Sequence, residues 1–277
     1  MKVIQEQLVS NGSGVDIDIE RCFDTIDHEL LMRLVARRLS DRRVLKLLRQ
    51  WLKAGVVEEG QWRPTPVGSP QGGVISPVVS HISLHVLDMD WAQQYSSLGQ
   101  LTRYADDMVV VCRTRRDAEQ ALYAVTQVLQ RLKLTVHPTK TRIVDMKQAG
   151  FEFLGFHFHT GRARKSGKLV PRMWPGQKAM QAIRNQMREQ TARRGVRETR
   201  AAMVAKLNPI IRGWRNYFRG GNSTKKFQDL DRYVRRRMVQ WIRARMKAGI
   251  ALEQLHALLR TSGLTHFSEP GMCGTRL

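Results

Sequence analysis

Leu101-Thr102-Arg103-Tyr104-Ala105-Asp106-Asp107-Met108-Val109-Val110-Val111-Cys112 decides the fold reading, because two adjacent carboxylates stand between two strand-like segments. That pattern predicts a tight β-hairpin with acid at its tip. Neighbouring aspartates repel each other unless a cation lies beside them, so the tip is a place to hold metal. A second strand pattern, Val15-Asp16-Ile17-Asp18-Ile19, also ends in acid and offers a third ligand. Such a trio suits two-metal phosphoryl transfer, in which two Mg²⁺ ions about 3.5–4 Å apart activate the attacking oxygen and steady the leaving one. Side chains alternate along a strand, so Asp106 and Asp107 point different ways, and Asp106 is expected to be the direct ligand with Asp107 assisting. Asp16 and Asp18 are two apart and share a side, so spacing alone does not choose between them.

The charge of the chain points to the substrate. Its 277 residues carry a net charge of +23, very unevenly placed. Residues 161–277 hold 27 Lys+Arg against 6 Asp+Glu, whereas residues 1–160 hold 20 against 18. An excess of that size repels itself unless phosphates or counterions neutralise it, which implies a nucleic-acid partner. Cys22, Cys112 and Cys273 are odd in number and far apart, which fits a reducing compartment. The start of the chain lacks the apolar run of a signal peptide, and no stretch approaches the roughly 18 apolar residues of a membrane span. A cytoplasmic protein with no membrane partner is expected.

Along the chain, Asp27-His28-Glu29 starts a helix after the first strand, and Asp41 opens another. In the latter Val44, Leu47, Leu48, Trp51 and Leu52 recur at helical spacing and are expected in the core. Pro- and Gly-rich residues 56–75 lead into a helix from about Ser76 to Trp91. The hairpin follows, then a helix from about Asp117, its expected N-cap, to Leu132. Strands are expected over 141–146 and 151–159, and helices over about 176–194, 198–218, 229–248 and 250–260. The fold class is α+β: an antiparallel sheet with packed helices over 1–160, a basic Gly/Pro linker at 161–175, an all-α domain at 176–262 and a tail at 263–277.

Read in order, the motifs resemble a known family. Asp18-Ile19-Glu20-Arg21-Cys22-Phe23-Asp24 is similar to the first catalytic motif of reverse transcriptases, and Tyr104-Ala105-Asp106-Asp107 to their third. Gly68-Ser69-Pro70-Gln71-Gly72-Gly73-Val74-Ile75-Ser76-Pro77 lies between them, and Lys140-Thr141 and Phe153-Leu154-Gly155-Phe156 follow. The chain resembles a group II intron reverse transcriptase. That resemblance implies a palm in which Asp18 and Asp106 bind both Mg²⁺ ions, Asp107 completes the acidic cluster and the Ile19 carbonyl ligates one ion. It makes Phe23 the bulky gate against a ribose 2′-OH, where the plain alternative is a core phenylalanine. It sets Gln71 and Gly72 against the incoming nucleotide and template, where glycines allow close backbone approach and a helix N-terminus favours phosphate. Lys140 matches a family lysine near the triphosphate, where a cation can neutralise or protonate the leaving pyrophosphate. Ser80-His81 stands where the family commonly has Ala-Asn, a departure in the helix after the loop.

Leu207 to Arg219, LNPIIRGWRNYFR, is similar to the signature of the maturase or thumb region of the same family. Arg212, Arg215 and Arg219 suit phosphate contact; Trp214, Tyr217 and Phe218 suit either base stacking or a core, since they share a helix face with Ile210. On the next helix Tyr233, Val234, Met238, Trp241 and Ile242 form the apolar face, and Arg232, Arg235, Arg236, Arg243 and Lys247 the basic one, better suited to RNA. Only 17 residues precede Asp18, where relatives place a long fingers region, and nothing after 262 resembles an endonuclease. The expectation is an N-terminally truncated palm and thumb, with fingers lost or supplied by a separate chain. The implied activity is RNA-directed DNA polymerisation from deoxynucleotides onto a DNA primer paired with an RNA template; the rivals are an intron RNA-binding maturase with little polymerase activity and an inactive remnant.

Overall fold

In the computed structural model, which describes residues 2–8, 12–58, 61–63, 67–69, 73, 75–163, 166–192, 198–246 and 251–268, the two acid-bearing segments pair side by side. In chain order the elements are α1 (Lys2–Leu8), β1 (Ser13–Ile17), a 3-10 turn at Cys22–Thr25, α2 (His28–Ala36), α3 (Arg42–Lys53), β2 (Val56–Glu58), β3 (Gln61–Arg63) and α4 (Ser76–Asp90). A π turn at Trp91–Tyr95 leads to β4 (Gln100–Tyr104), β5 (Asp107–Cys112) and α5 (Arg115–Arg131). Then come β6 (Arg142–Asp145), β7 (Phe151–Phe153), β8 (Phe156–Arg162), β9 (Leu169–Pro175), α6 (Gln177–Gln190), α7 (Arg200–Phe218), α8 (Thr224–Met246) and α9 (Leu252–Arg260). Among the described residues no helix is long and apolar enough to cross a membrane.

β4, β5, β1 and β6 form an antiparallel sheet in that order. Its register runs from Ser13↔Cys112 to Ile17↔Met108 between β1 and β5. Val15, Ile17, Met108, Val110 and Cys112 point to one face and bury against Leu84 and Leu87 of α4 and Ala121, Val125 and Val128 of α5. By alternation Asp16, Asp18 and Asp107 belong to the opposite face, where Val109 and Val111 are buried and the Gly14 position closely meets Met146 and Phe151. The α+β class read from the sequence is the observed one.

Three local expectations change. Asp117 does not cap α5: Thr114 does, accepting from the Asp117 amide at 3.1 Å while the Asp117 carboxylate accepts from the Thr114 amide at 3.1 Å, a reciprocal box that starts the helix two residues earlier. The strand foreseen at 151–159 is broken at Leu154-Gly155, which both take positive φ, 50° and 76°. On α3 the apolar stripe is not a core face. Leu52 is buried and Leu48 packs beside it against α2 and α4, but Val44, Leu47 and Trp51 are 40%, 41% and 51% exposed. The stripe is wider than the surface it packs on, so its far edge stays open.

The chain divides into two compact units: Met1–Phe153 with His159–Pro171, and Leu154–Phe158 with Arg172–Leu277. Of residues 161–175, expected as a linker, the described ones include the end of β8 and the whole of β9, and Gly167 takes φ +65° with its amide donating to the Ala163 carbonyl at 2.9 Å. In the second unit α6 packs against α7 and α8, and α8 against α9. Met180, Ile183, Met187, Met203, Leu207, Ile211, Leu230 and Met238 are among its buried residues. Nor is the segment from 263 a loose tail throughout: Phe267 is 1% exposed, and the Asp231 carboxylate accepts from the amides of Phe267 at 2.7 Å and Ser268 at 3.0 Å.

The α3 finding is checked by chemical denaturation. Leu52→Ala should lose about 2–5 kcal/mol, and Trp51→Ala less than about 1 kcal/mol despite removing a larger side chain; comparable losses would place Trp51 in the core after all.

Candidate active site

Tyr104 pairs with Asp107, so Ala105 and Asp106 are the two central residues of the hairpin. Ala105 takes φ +54°, the left-handed conformation such a two-residue connection demands at its first position and usually gives to glycine. Asp106 thus sits in the turn itself, while Asp107 begins β5. On the adjacent strand Asp18 follows β1, between the core residues Ile17 and Ile19. Its backbone is tied from both sides: its carbonyl accepts from the His137 amide at 2.8 Å and its amide donates to Thr141 Oγ1 at 3.2 Å.

Electrostatics shows that the sequence-predicted carboxylates are neighbours. Asp107 has much open surface, yet its carboxyl is pushed above the ordinary 3.8, first by partial burial of the carboxyl and then by the charges of Asp106 and Asp18. Asp16 is also raised, mostly by burial; Arg142 at 3.3 Å opposes this, and Asp107 and Asp18 add to it. Burial pushes the Cys22 thiol up to about 11; a bond with Ser80 opposes the shift, and the charge of Asp106 and, more weakly, that of Asp18 add to it. Asp107 therefore feels Asp106 and Asp18, and Asp16 feels Asp107 and Asp18, at one end of the central strand pair. They do not converge on a common point: among the described residues no group of three acidic, His or Cys side chains is gathered closely enough to hold a metal ion.

Asp18 is where the set departs from a simple acidic cluster. Lys140 Nζ lies 2.9 Å from its Oδ2, so an ammonium neutralises the carboxylate. That contact lacks hydrogen-bond geometry, and Asp18 Oδ2 is otherwise an enclosed oxygen without a hydrogen bond. Among the described residues Asp106 and Asp107 have no ion-pair partner. Carboxylate oxygens are the donor chemistry that Mg²⁺ takes, so the residue types suit such an ion although their side chains are not gathered around one point.

The other sequence-predicted positions distribute around this edge. Ile19 bridges Val136 through bonds that use the Asp18 carbonyl and the Glu20 amide, and the Ile19 carbonyl takes no part in that bridge. Phe23 is half-buried in the 3-10 turn, and its carbonyl accepts from the Ser69 amide at 2.7 Å. A Cβ at Gly68, φ +82°, would stand 2.4 Å from the Asp24 carbonyl oxygen, so only glycine lets the loop come this close. His28 Nε2 meets the Gly68 carbonyl at 2.6 Å. These sutures hold the start of the 68–77 loop against the turn that carries Phe23; Gln71 and Gly72 themselves lie outside the described residues. Sequence reasoning missed Arg103 and Asp88, an ion pair next to the hairpin tip. An arginine placed just before Tyr104 and an acid in the last turn of α4 were the only signals.

The basic unit sorts its residues clearly. Trp214 packs in a ring cluster with Phe218 at 4.4 Å, Phe267 at 5.4 Å and Phe227 at 5.9 Å, and Tyr217 donates its hydroxyl to the Leu154 carbonyl at 3.0 Å. Those aromatics have partners within the unit, although Tyr217 keeps 55% of its surface exposed. Arg212, Arg219, Arg232, Arg235, Arg236 and Arg243 are exposed and Arg215 is half-buried. Arg232 pairs with Asp229, and Arg236 lies over the Tyr233 ring at 5.6 Å. Lys247 lies outside the described residues. Arg237 instead closes the end of α6, donating to the Thr191 carbonyl at 3.1 Å and to its hydroxyl at 3.0 Å.

The fold and its acidic edge define a reverse-transcriptase palm. The chain matches the family described as reverse transcriptase (RNA-dependent DNA polymerase) over residues 3–158, and it belongs to that family. Residues 180–256 match the maturase-specific domain of group II introns. The chain is 33% identical to protein YkfC of Escherichia coli over 197 residues, covering 60% of this chain and 51% of the relative. It is 39% identical to the group II intron-encoded protein LtrA of Lactococcus lactis over 88 residues, 32% of this chain and 15% of the relative. It therefore spans about half of the first relative and far less of the second. A telomerase structure from Candida albicans, in complex with a fragment of telomeric RNA, aligns at a TM-score of 0.46 with 12% identity, over 94% of this chain and 52% of that one.

The raised carboxyls have a thermodynamic consequence. A carboxyl whose folded-state pKa exceeds its unfolded value binds protons better when folded, so its contribution to stability falls as pH rises from about 3.8 through the folded value and stays unfavourable above it. Asp107→Asn should therefore raise the metal-free Tm at pH 7 by about 1–2 °C, a small gain because solvent screens the site. The gain should vanish below about pH 3.8. A lower Tm at pH 7, measured by calorimetry in chelator, would contradict the crowding of charge.

Proposed function

We propose that the chain is an RNA-directed DNA polymerase of the group II intron type, extending a DNA primer on an RNA template with deoxynucleotides. The observation that carries this reading is the position of Asp18 at the end of β1, alongside the start of the paired β5 where Asp107 stands next to Asp106, with the Asp107 carboxyl raised in part by the charges of both. In this reaction the primer 3′ oxygen bonds to the α-phosphorus of the nucleotide as the bond to pyrophosphate breaks. Asp18, Asp106 and Asp107, with the Ile19 carbonyl, would hold two Mg²⁺ ions. When bound, those ions lower the pKa of the attacking hydroxyl and offset the charge that builds on the phosphate oxygens.

The remaining work falls to side chains around them. Phe23, fastened to the 68–69 segment through its carbonyl, would meet the sugar of the incoming nucleotide, and Gln71 and Gly72 would face that nucleotide and the template. Lys140, on a flexible and 64% exposed side chain, would leave Asp18 as metal arrives and turn to the triphosphate, where an ammonium favours pyrophosphate departure. Arg212, Arg215, Arg219, Arg232, Arg235, Arg236, Arg243 and Lys247 would contact RNA phosphates.

A second reading, an intron RNA-binding maturase with weak or absent polymerisation, is favoured by the concentration of charge: 27 Lys+Arg against 6 Asp+Glu in residues 161–277. One set of measurements separates the two. Polymerisation predicts Mg²⁺-dependent cDNA from an RNA template that falls at least about a thousandfold on Asp106→Asn, while RNA affinity stays within about twofold. Arg235→Gln with Arg243→Gln should weaken RNA binding and reduce the slope of log K against log salt by about 1–2. Full cDNA yield from Asp106→Asn would refute the metal assignment; RNA binding without extension by the parent chain would favour the maturase reading, and neither activity would leave an inactive remnant.

Phe23 gives an independent check. Phe23→Val should raise incorporation of ribonucleotides relative to deoxynucleotides by about tenfold or more, and an unchanged ratio would return Phe23 to a purely structural role.

A further inference from the structure

The hairpin tip has an unusual support beneath it. Arg103, the residue before Tyr104 on β4, has a side chain only 8% exposed although it lies one residue from the end of an edge strand. Its Nε donates to Asp88 Oδ1 at 2.9 Å, and its Nη2 donates to Asp88 Oδ2, so the two groups form a planar fork across to the last turn of α4. Its remaining Nη1 donates to the Ala105 carbonyl at 2.9 Å and approaches His81 Nδ1 at 3.5 Å. Ala105 lies beyond the last paired residues, Tyr104 and Asp107, so the sheet ladder does not fix its carbonyl. It also holds φ +54°, a conformation that costs energy for any residue with a Cβ and persists only where surroundings impose it.

We propose that Arg103 is a positioning residue for the metal site: clamped by Asp88, it pins the Ala105 carbonyl and so fixes the turn that presents the Asp106 carboxylate. This rests on the reading of Asp106 as a metal ligand. The chemistry requires a guanidinium, because only a rigid fork donates to both carboxylate oxygens and keeps a further N–H for the turn; a lysine satisfies one partner or the other. Asp88 sets the fork's orientation, and its helix packs under the sheet, so the turn is referenced to the core rather than to solvent. Ligands misplaced by about 1 Å lose on the order of a hundredfold in rate, which makes the turn worth holding.

The test uses the full chain and two readouts. Arg103→Lys and Asp88→Asn should each speed amide hydrogen exchange at Asp106 and Asp107 by about tenfold while Val109 to Val111 change less than threefold. The same variants should weaken Mn²⁺ binding, followed by electron paramagnetic resonance, by about tenfold, whereas Glu119→Gln on the exposed face of α5 should change neither measurement. Unchanged exchange at the tip in both variants would overturn the clamp. Faster exchange with unchanged Mn²⁺ affinity would leave Arg103 a support of the hairpin only and overturn its positioning role. If Mn²⁺ binding to the parent chain does not depend on Asp106, the metal reading falls and the positioning role with it, while the exchange rates still decide whether the clamp exists.

Discussion

Antiparallel pairing of Ser13–Ile17 with Met108–Cys112 is the constraint on which the rest depends. It joins segments more than 90 residues apart in sequence, so its loop entropy must be offset by burial, and the valines, isoleucine and methionine of the two strands provide that against α4 and α5. Because the strand period is two, the same register that drives Val15, Ile17, Met108 and Val110 into the core sends Asp16, Asp18 and Asp107 to the other face. A slip of one residue would turn the acids toward α4 and α5 and move the side chains that pack there to the other face. The hydrophobic pattern therefore fixes the acidic edge without any attraction between the acids, which repel one another.

Much of this was legible in the sequence, for one physical reason: strand alternation and adjacent acids at a turn are local patterns, and local patterns survive folding. The hairpin tip, the α+β class and the helical character of the second half were read that way. What escaped was decided by partners distant in sequence. On α3 the spacing of Val44, Leu47 and Trp51 announced a face but not whether a surface existed to cover it. At 161–175 glycine, proline and basic residues marked a turn and a surface strand as readily as a linker, and only pairing with β8 distinguishes them. Gly68 gave no hint that its missing Cβ admits the Asp24 carbonyl.

The helical unit shows the same division between shape and charge. A run mixing Trp, Tyr and Phe with Arg invites a reading in which rings stack on bases, yet Trp214, Phe218, Phe227 and Phe267 are committed to one another. Helical periodicity could not separate those uses, because a ring facing a core and a ring facing a ligand occupy the same positions. Arginines are easier to place, since a guanidinium enters a core only when its donors are met. Arg237 meets that condition at the end of α6, and its neighbours Arg235 and Arg236 stay outside.

How the palm tolerates its own charge is the remaining question, and the answer lies in residues 133–142. That stretch brings Lys133 to Asp27 at 2.6 Å, Lys140 to Asp18 at 2.9 Å and Arg142 to Asp16 at 3.3 Å. It gives Asp16 and Asp18 one cation each and the N-cap of α2 a third, while its backbone bonds to Asp18 and Glu20 hold the register. Exposed pairs of this kind add little stability, so their value is in letting the acids be close at all. The match stops at the hairpin: Asp106 and Asp107 gain no cation from it. A fold that balances the acids of one strand and, among the described residues, pairs neither acid at the neighbouring tip keeps its residual repulsion at one place, which is where the proposed divalent ions would gain most by binding.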